Sequence, residues 1–340
     1  MREKISKRIG LMSILMTIEI VLYHSGSPSS ADAINSIDLK MNELLKYAIE
    51  ILVPFAMSYF FATTGYLLFS GLSLANYIDK IKRRFKTLLV PYVLWQLIIF
   101  CKLVLQKRGW TIGDFITKTF LLQMWPPDGP LWYVYVVFLF SLFSPILLIL
   151  FKNKRISWIC IIMMIVGKYA LISYGGETVE AIISYGYINN ILYYVPSYLI
   201  GCFYGYFLQK DAEADELRYI MYLLLVAIIL NGTFGGIFYD MSVIVLPIMS
   251  MFLLPTDFLP RLTWISKLLF LVYAIHEPIA VDFNKNFRPL FSGLFYFVFL
   301  ENIICRLIIL AIVVLFAFGI HKTLERISPK LLSLLTGGRK

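Results

Sequence analysis

Apolar runs of about 20 residues recur from one end of this 340-residue chain to the other. That is the length a helix needs to cross the hydrocarbon core of a bilayer. Polar breaks separate ten such runs, near 9–24, 47–70, 87–105, 131–151, 157–173, 190–209, 218–236, 238–254, 264–282 and 292–320. The pattern predicts an all-α, polytopic membrane protein of about ten transmembrane helices in one bundle. The first and fifth runs are short for a core of ~30 Å. At 231–239 the break "NGTFGGIFY" divides the seventh run from the eighth, and a single kinked helix is the alternative there. The longest polar stretch, 25–46, reads as an outer loop, and "QKDAEADELR" at 209–218 as a short inner one. No soluble domain, internal repeat or low-complexity tract stands out, so residues 1–340 read as one integral-membrane domain.

Composition agrees with this reading. The chain is 59% hydrophobic and 15% charged, with a mean hydropathy of +0.77, where a soluble domain carries about a quarter charged residues. The net charge of +10 raises the question of nucleic acid. The placement of the cations answers it. With the N-terminus inside, the inner segments hold 21 of the 31 Lys and Arg and the outer loops seven, while Lys102, Lys168 and Arg306 fall within spans. This is the positive-inside bias. It predicts cytoplasmic termini and the lipid bilayer, not nucleic acid, as partner. The basic start, the apolar stretch and "SSADA" at 29–33 also resemble a secretory signal, but Glu19 inside the apolar run favours a retained first span. Cys101, Cys160, Cys202 and Cys305 are scattered, with no CxxC and no His-rich cluster. They read as small buried apolar residues, and no metal site is expected.

The ionisable residues of the first run hold the chemistry. Glu19 and His24 are five steps apart, about 140° around a helix, so they face different neighbours. Ionisable groups in spans face a cavity or a partner. Lys168 and Arg306 are the candidate partners of Glu19. His24, at the end of the run, reads either as a headgroup-level residue or as a general base, a task that an imidazole titrating near neutrality suits.

His24 after a basic and apolar start, "FFATTGYLLF" at 60–69, "KRRFKTLLVPYVLW" at 82–95, "GPLWYVYVVFLFSLFSP" at 129–145, "YVPSYLIGCFYG" at 194–205 and "VYAIHEPI" at 272–279 occur in that order. Together they resemble the membrane acyltransferase 3 family of bacterial O-acyltransferases, over nearly the whole chain. The resemblance implies a multi-pass enzyme of the bacterial inner membrane. It would move an acyl group, usually acetyl, from cytoplasmic acyl-coenzyme A (acyl-CoA) to a hydroxyl of an extracytoplasmic or lipid-linked carbohydrate. Acyl-CoA would be a co-substrate, with no permanently bound cofactor.

The resemblance also implies roles. His24 becomes the catalytic base or transient acyl carrier. His276, before Pro278, lies on the same outer side and either brackets the acceptor hydroxyl or anchors a helix end, with Glu277 as a charge-pairing residue like Glu19. The cationic loop with Arg83, Arg84 and Lys86 would hold the donor phosphates; its plainer reading is positive-inside charge. Trp125, Asp128, Trp132 and Tyr133 form either a sugar platform or an interfacial aromatic belt. Two positions depart from the family pattern: Ser13 stands eleven before His24, and Thr87 three after Arg84, where the family has basic residues. His321, among basic residues at the inner end of the last run, reads as a surface group. The rival readings are a saccharide-lipid transporter and a non-catalytic member of the family.

Overall fold

The computed structural model describes residues 2–26, 36–122, 124–174, 176–184, 186–207, 236–253, 263–291, 294–295 and 297–338. Every regular element among them is helical: α1 (Arg2–His24), α2 (Ser36–Phe69), α3 (Tyr77–Arg84), α4 (Val90–Leu105), α5 (Ile112–Phe120), α6 (Trp132–Leu142), α7 (Ser144–Leu150), α8 (Lys154–Tyr174), α9 (Gly176–Ser184), α10 (Ile188–Phe207), α11 (Gly236–Leu253), α12 (Thr263–Ser266), α13 (Leu269–Asn286), α14 (Val298–Ile327) and α15 (Pro329–Thr336).

Among the described residues three helical stretches are long and apolar enough to cross a membrane: Ile37–Phe69, Leu74–Leu105 and Val298–Ile327. A fourth is reached if the pair Gly129–Leu142 and Ser144–Leu150, bent by 55°, counts as one span. The bend falls where Pro145 opens α7, because proline has no N–H with which to continue the ladder. The predicted outer loop 25–46 is helical from Ser36 onward, and its residues 27–35 lie outside the described residues. So do 208–235, which take in the acidic inner loop, most of the seventh run and part of its break.

The basic segment corrects the sequence reading. It is not a loop. Lys82, Arg83 and Arg84 form the last turn of α3, and Lys86 lies in a π-helical turn, Phe85–Leu89, that leads directly into α4. Lys and Arg are good helix formers, so their density alone breaks nothing. The wide turn has a local cause. Pro91, at the start of α4, has no N–H for the carbonyl four residues back, and its ring needs room there. The Val90 N–H instead bonds the carbonyl of Phe85.

The chain divides into two compact units. The first comprises Met1–Ile9 and Met57–Phe258. In it α10 packs against α2 through small residues. A Cβ on Gly201 would lie 2.7 Å from the carbonyl carbon of Ala62, and one on Gly205 3.0 Å from the Cα of Tyr66. This is the close helix approach that glycines four apart permit in lipid. Phe61 anchors the aromatic core, stacked on Tyr194 at 5.4 Å and meeting Tyr133 edge-on at 4.9 Å. Between α4 and α6, the helix α5 starts on a capping box. The Thr111 hydroxyl accepts from the Asp114 N–H, and the Asp114 carboxylate accepts from the Thr111 hydroxyl and N–H. Those bonds hold the exposed Asp114 carboxyl below its usual range.

The second unit comprises Gly10–Ala56 and Leu259–Lys340. Here α13 packs on α14. The first N–H groups of a helix have no partner within it. For α14 they find one on another helix: the buried Asp38 carboxylate of α2 accepts from the N–H of Val298 at 2.9 Å and of Phe299 at 2.8 Å. A negative charge also suits this positive helix end. One turn on, Asn302 donates to Asn42 at 2.8 Å and accepts from Arg288 at 2.8 Å. Arg288 in turn pairs with Glu301 at 3.2 Å. All five polar side chains are buried. Removing one partner of a buried ion pair costs about 3–5 kcal/mol. Glu301→Ala is therefore expected to lower the thermal midpoint in detergent markedly, whereas Glu325→Ala, which breaks an exposed 2.8 Å pair with Lys322, leaves it nearly unchanged. Equal shifts for the two would refute the structural weight given to this network.

His321 is a further correction. It is buried, with 8% exposure, not at the surface. At this end α15 turns back onto α14 and α13, a tertiary arrangement that the local run of basic residues does not reveal.

Candidate active site

The second unit holds Glu19, His24, His276 and Glu277. α1 ends at His24. Its ring meets that of His276, on α13, with centroids 5.0 Å apart and planes at 67°. His24 Nδ1 lies 4.0 Å from Glu277 Oε1. Three residues separated by some 250 positions of sequence thus form one cluster. The 4.0 Å separation exceeds a hydrogen bond, so Glu277 acts on the imidazole as a charge. It favours a proton on the Nδ1 side and leaves Nε2 as the basic nitrogen.

The two histidines are not equivalent. His24 and Glu277 keep 28% and 32% of their side-chain surface open, while His276 is wholly buried. His276 Nδ1 lies 2.7 Å from the carbonyl of Tyr273. A carbonyl only accepts, so Nδ1 carries the hydrogen and a neutral ring keeps its lone pair on Nε2. That nitrogen is buried without a hydrogen-bond partner. His24 is thus the partly open member of the pair and His276 the sealed one.

Glu19 faces a different neighbour, as the helical angle requires. Of the two cations offered by the sequence, Arg306 is the one whose charge acts on it; the side chain of Lys168 lies outside the described residues. Glu19 Oε1 is buried and makes no hydrogen bond, so the pairing is through space. Arg306 itself is buried on α14. Its Nη1 donates to the carbonyl of Leu22, in the last turn of α1. From α13, Asn284 Nδ2 reaches the carbonyls of Ser25 and Gly26, at 3.4 Å each. Sequence reasoning passed over Asn284, Arg288, Glu301 and Asn302. The signal was there for two of them, since Glu301 and Asn302 are polar residues at the head of a long apolar run.

The residues assigned to the donor and the sugar lie in the first unit, and they separate. Arg83 and Lys86 are exposed. Arg84 turns inward and donates to the carbonyl of Thr64 on α2 at 3.2 Å. Tyr133 donates to the carbonyl of Phe60 at 2.7 Å. With its one proton so used, it accepts from the Thr64 hydroxyl at 2.6 Å. Tyr198, Tyr133 and Cys202 are uncharged polar neighbours of the guanidinium, and among the described residues no carboxylate pairs with it. Trp132 and Asp128 are buried. The Asp128 backbone is held at both its N–H and its carbonyl by the Gln96 side chain, at 2.7 and 3.1 Å. Trp125 alone of the four stays open, at 47% exposure, with its edge on Trp132.

Comparison with known proteins follows the same lines. The family model described as an acyltransferase domain, acyltransferase 3, matches residues 8–322. The succinoglycan biosynthesis protein ExoH of Rhizobium meliloti (strain 1021) is 24% identical over 365 residues, covering 100% of this chain and 94% of that protein. No solved structure matches the chain.

Proposed function

We propose that this chain, which belongs to the acyltransferase 3 family, transfers an acyl group, acetyl in the first instance, from cytoplasmic acyl-CoA to a hydroxyl of an extracytoplasmic or lipid-linked carbohydrate. The observation that carries the reading is the convergence of His24, His276 and Glu277. A sugar hydroxyl is a poor nucleophile until a base takes its proton. His24 Nε2 takes that proton as the oxygen attacks the thioester carbonyl. The C–S bond breaks, and the coenzyme A thiolate leaves and is protonated. Glu277 stabilises the imidazolium that forms. The relative's name places it in succinoglycan synthesis, which supports a glycan as acceptor. A half-buried arginine with no carboxylate beside it among the described residues, Arg84, suits an anionic donor, because ionisable groups inside membrane helices mark substrate paths.

The test is incorporation of label from acetyl-coenzyme A into a host glycan by membranes containing the protein. Transfer that depends on the gene supports the reading; its absence with every acyl donor and glycan offered removes it. Topology is tested separately. We read ten spans with both termini inside, a multi-pass protein of the bacterial inner membrane. Reporter fusions after Arg155 and Lys340 are expected to signal cytoplasm and one within 30–40 the outside. An outside signal at the C-terminus would end the ten-span reading.

A further inference from the structure

We infer that Arg306 and Asn284 are positioning residues: Arg306 holds the last turn of α1 and Asn284 the two residues that follow it, and together they fix the His24 ring in its working orientation, an inference that rests on His24 being the base. The last carbonyls of a helix have no partner within it, and within a membrane protein an unmet carbonyl costs several kcal/mol. At the end of α1 and in the two residues beyond it, side chains meet carbonyls that the helix leaves open. Arg306, from α14, donates to Leu22, while Asn284, from α13, donates to Ser25 and Gly26. His24 lies between those anchor points. A cation also belongs at a helix C-terminus, where the helix dipole is negative.

Two features show that this end of α1 is fitted to the guanidinium. A Cβ on Gly26 would fall on the Arg306 Nη2 and 3.0 Å from its Cζ, so the turn leaves room for the guanidinium by having no side chain there. Glu19 places its charge on the same arginine from the turn below. The carboxylate of the apolar first helix thus has a cation as its through-space partner. Catalytic geometry is sensitive to such support, since a displacement of about 1 Å can cost on the order of 10²-fold in rate.

Gly26→Ala is the direct test. The added methyl meets the far end of a flexible side chain, so the guanidinium yields and the helix survives. Membrane level and the KM for acetyl-coenzyme A are expected to stay as in the wild type, while kcat falls on the order of 10²-fold. Adding Arg306→Lys is expected to restore part of kcat, because the slimmer ammonium clears the methyl and still donates to Leu22. Asn284→Ala is expected to lower kcat with KM unchanged, and it decides the matter should Gly26→Ala fail to accumulate. Wild-type kcat in both Gly26→Ala and Asn284→Ala, or a rise in KM alone, overturns the positioning role. Near-normal transfer by His24→Ala overturns the underlying reading instead, in a different variant.

Discussion

His24→Ala is expected to abolish most acyl transfer without loss of protein from the membrane. A positioned base contributes about 10²–10⁴-fold, and His24 is the partly open histidine of the cluster: its side chain is 28% open while His276 is sealed. His24→Gln should fail almost as badly, because an amide hydrogen-bonds but takes no proton. Glu277→Gln keeps shape and removes the charge that stabilises the imidazolium, so its loss of rate should be smaller than that of His24→Ala and confined to kcat. Glu19→Gln should retain much of the activity, since Arg306 still bonds the Leu22 carbonyl. Labelled acetyl incorporation, normalised to membrane level, ranks the four variants. Near-normal transfer by His24→Gln would make His24 a binding residue and leave the cluster without a reachable base.

That the chain is helical and apolar was legible in the sequence; that His24 and His276 meet was not. Hydropathy gives helices directly, because in lipid the backbone must satisfy itself within each segment. His24 and His276 were found through ordered motifs. Nothing local says that Glu277 turns toward His24, since that depends on how α1 lies beside α13. Glu19 left a choice between Lys168 and Arg306, and only packing settles such a choice. The Asp38 cap on α14 joins residues 260 positions apart, beyond the reach of any periodicity. The basic segment was misread for a physical reason: charge density marks a membrane boundary, and boundaries were equated with loops, although arginine and lysine extend a helix readily. The residues offered as a sugar platform or an aromatic belt are likewise placed by packing that the sequence does not show. Trp132 and Asp128 look like surface residues by type, yet a Gln96 amide and an aromatic core hold them inside.

That separation of the basic segment yields the second large effect. Arg83, Arg84 and Lys86 read alike in sequence, but only Arg84 points inward, to the Thr64 carbonyl. A half-buried guanidinium with five N–H groups makes one bond among the described residues, to Thr64. An anionic group of the donor is the partner those N–H groups suit, because hydrogen bonds to charged groups contribute about 1.5–3 kcal/mol. Arg84→Gln is therefore expected to raise the KM for acetyl-coenzyme A roughly ten- to a hundredfold, with the protein still inserted. Arg84→Lys should recover little, as it keeps the charge and loses the planar fork. The double variant Arg83→Gln/Lys86→Gln, changing two exposed side chains, should shift KM only slightly, and less still at high salt, where surface charge is screened. A KM untouched by Arg84→Gln would reduce this arginine to a tie between α3 and α2. A large KM change in the exposed double variant would move donor capture to the membrane surface and make the general field of the basic helix, not one half-buried guanidinium, the feature that recruits the coenzyme.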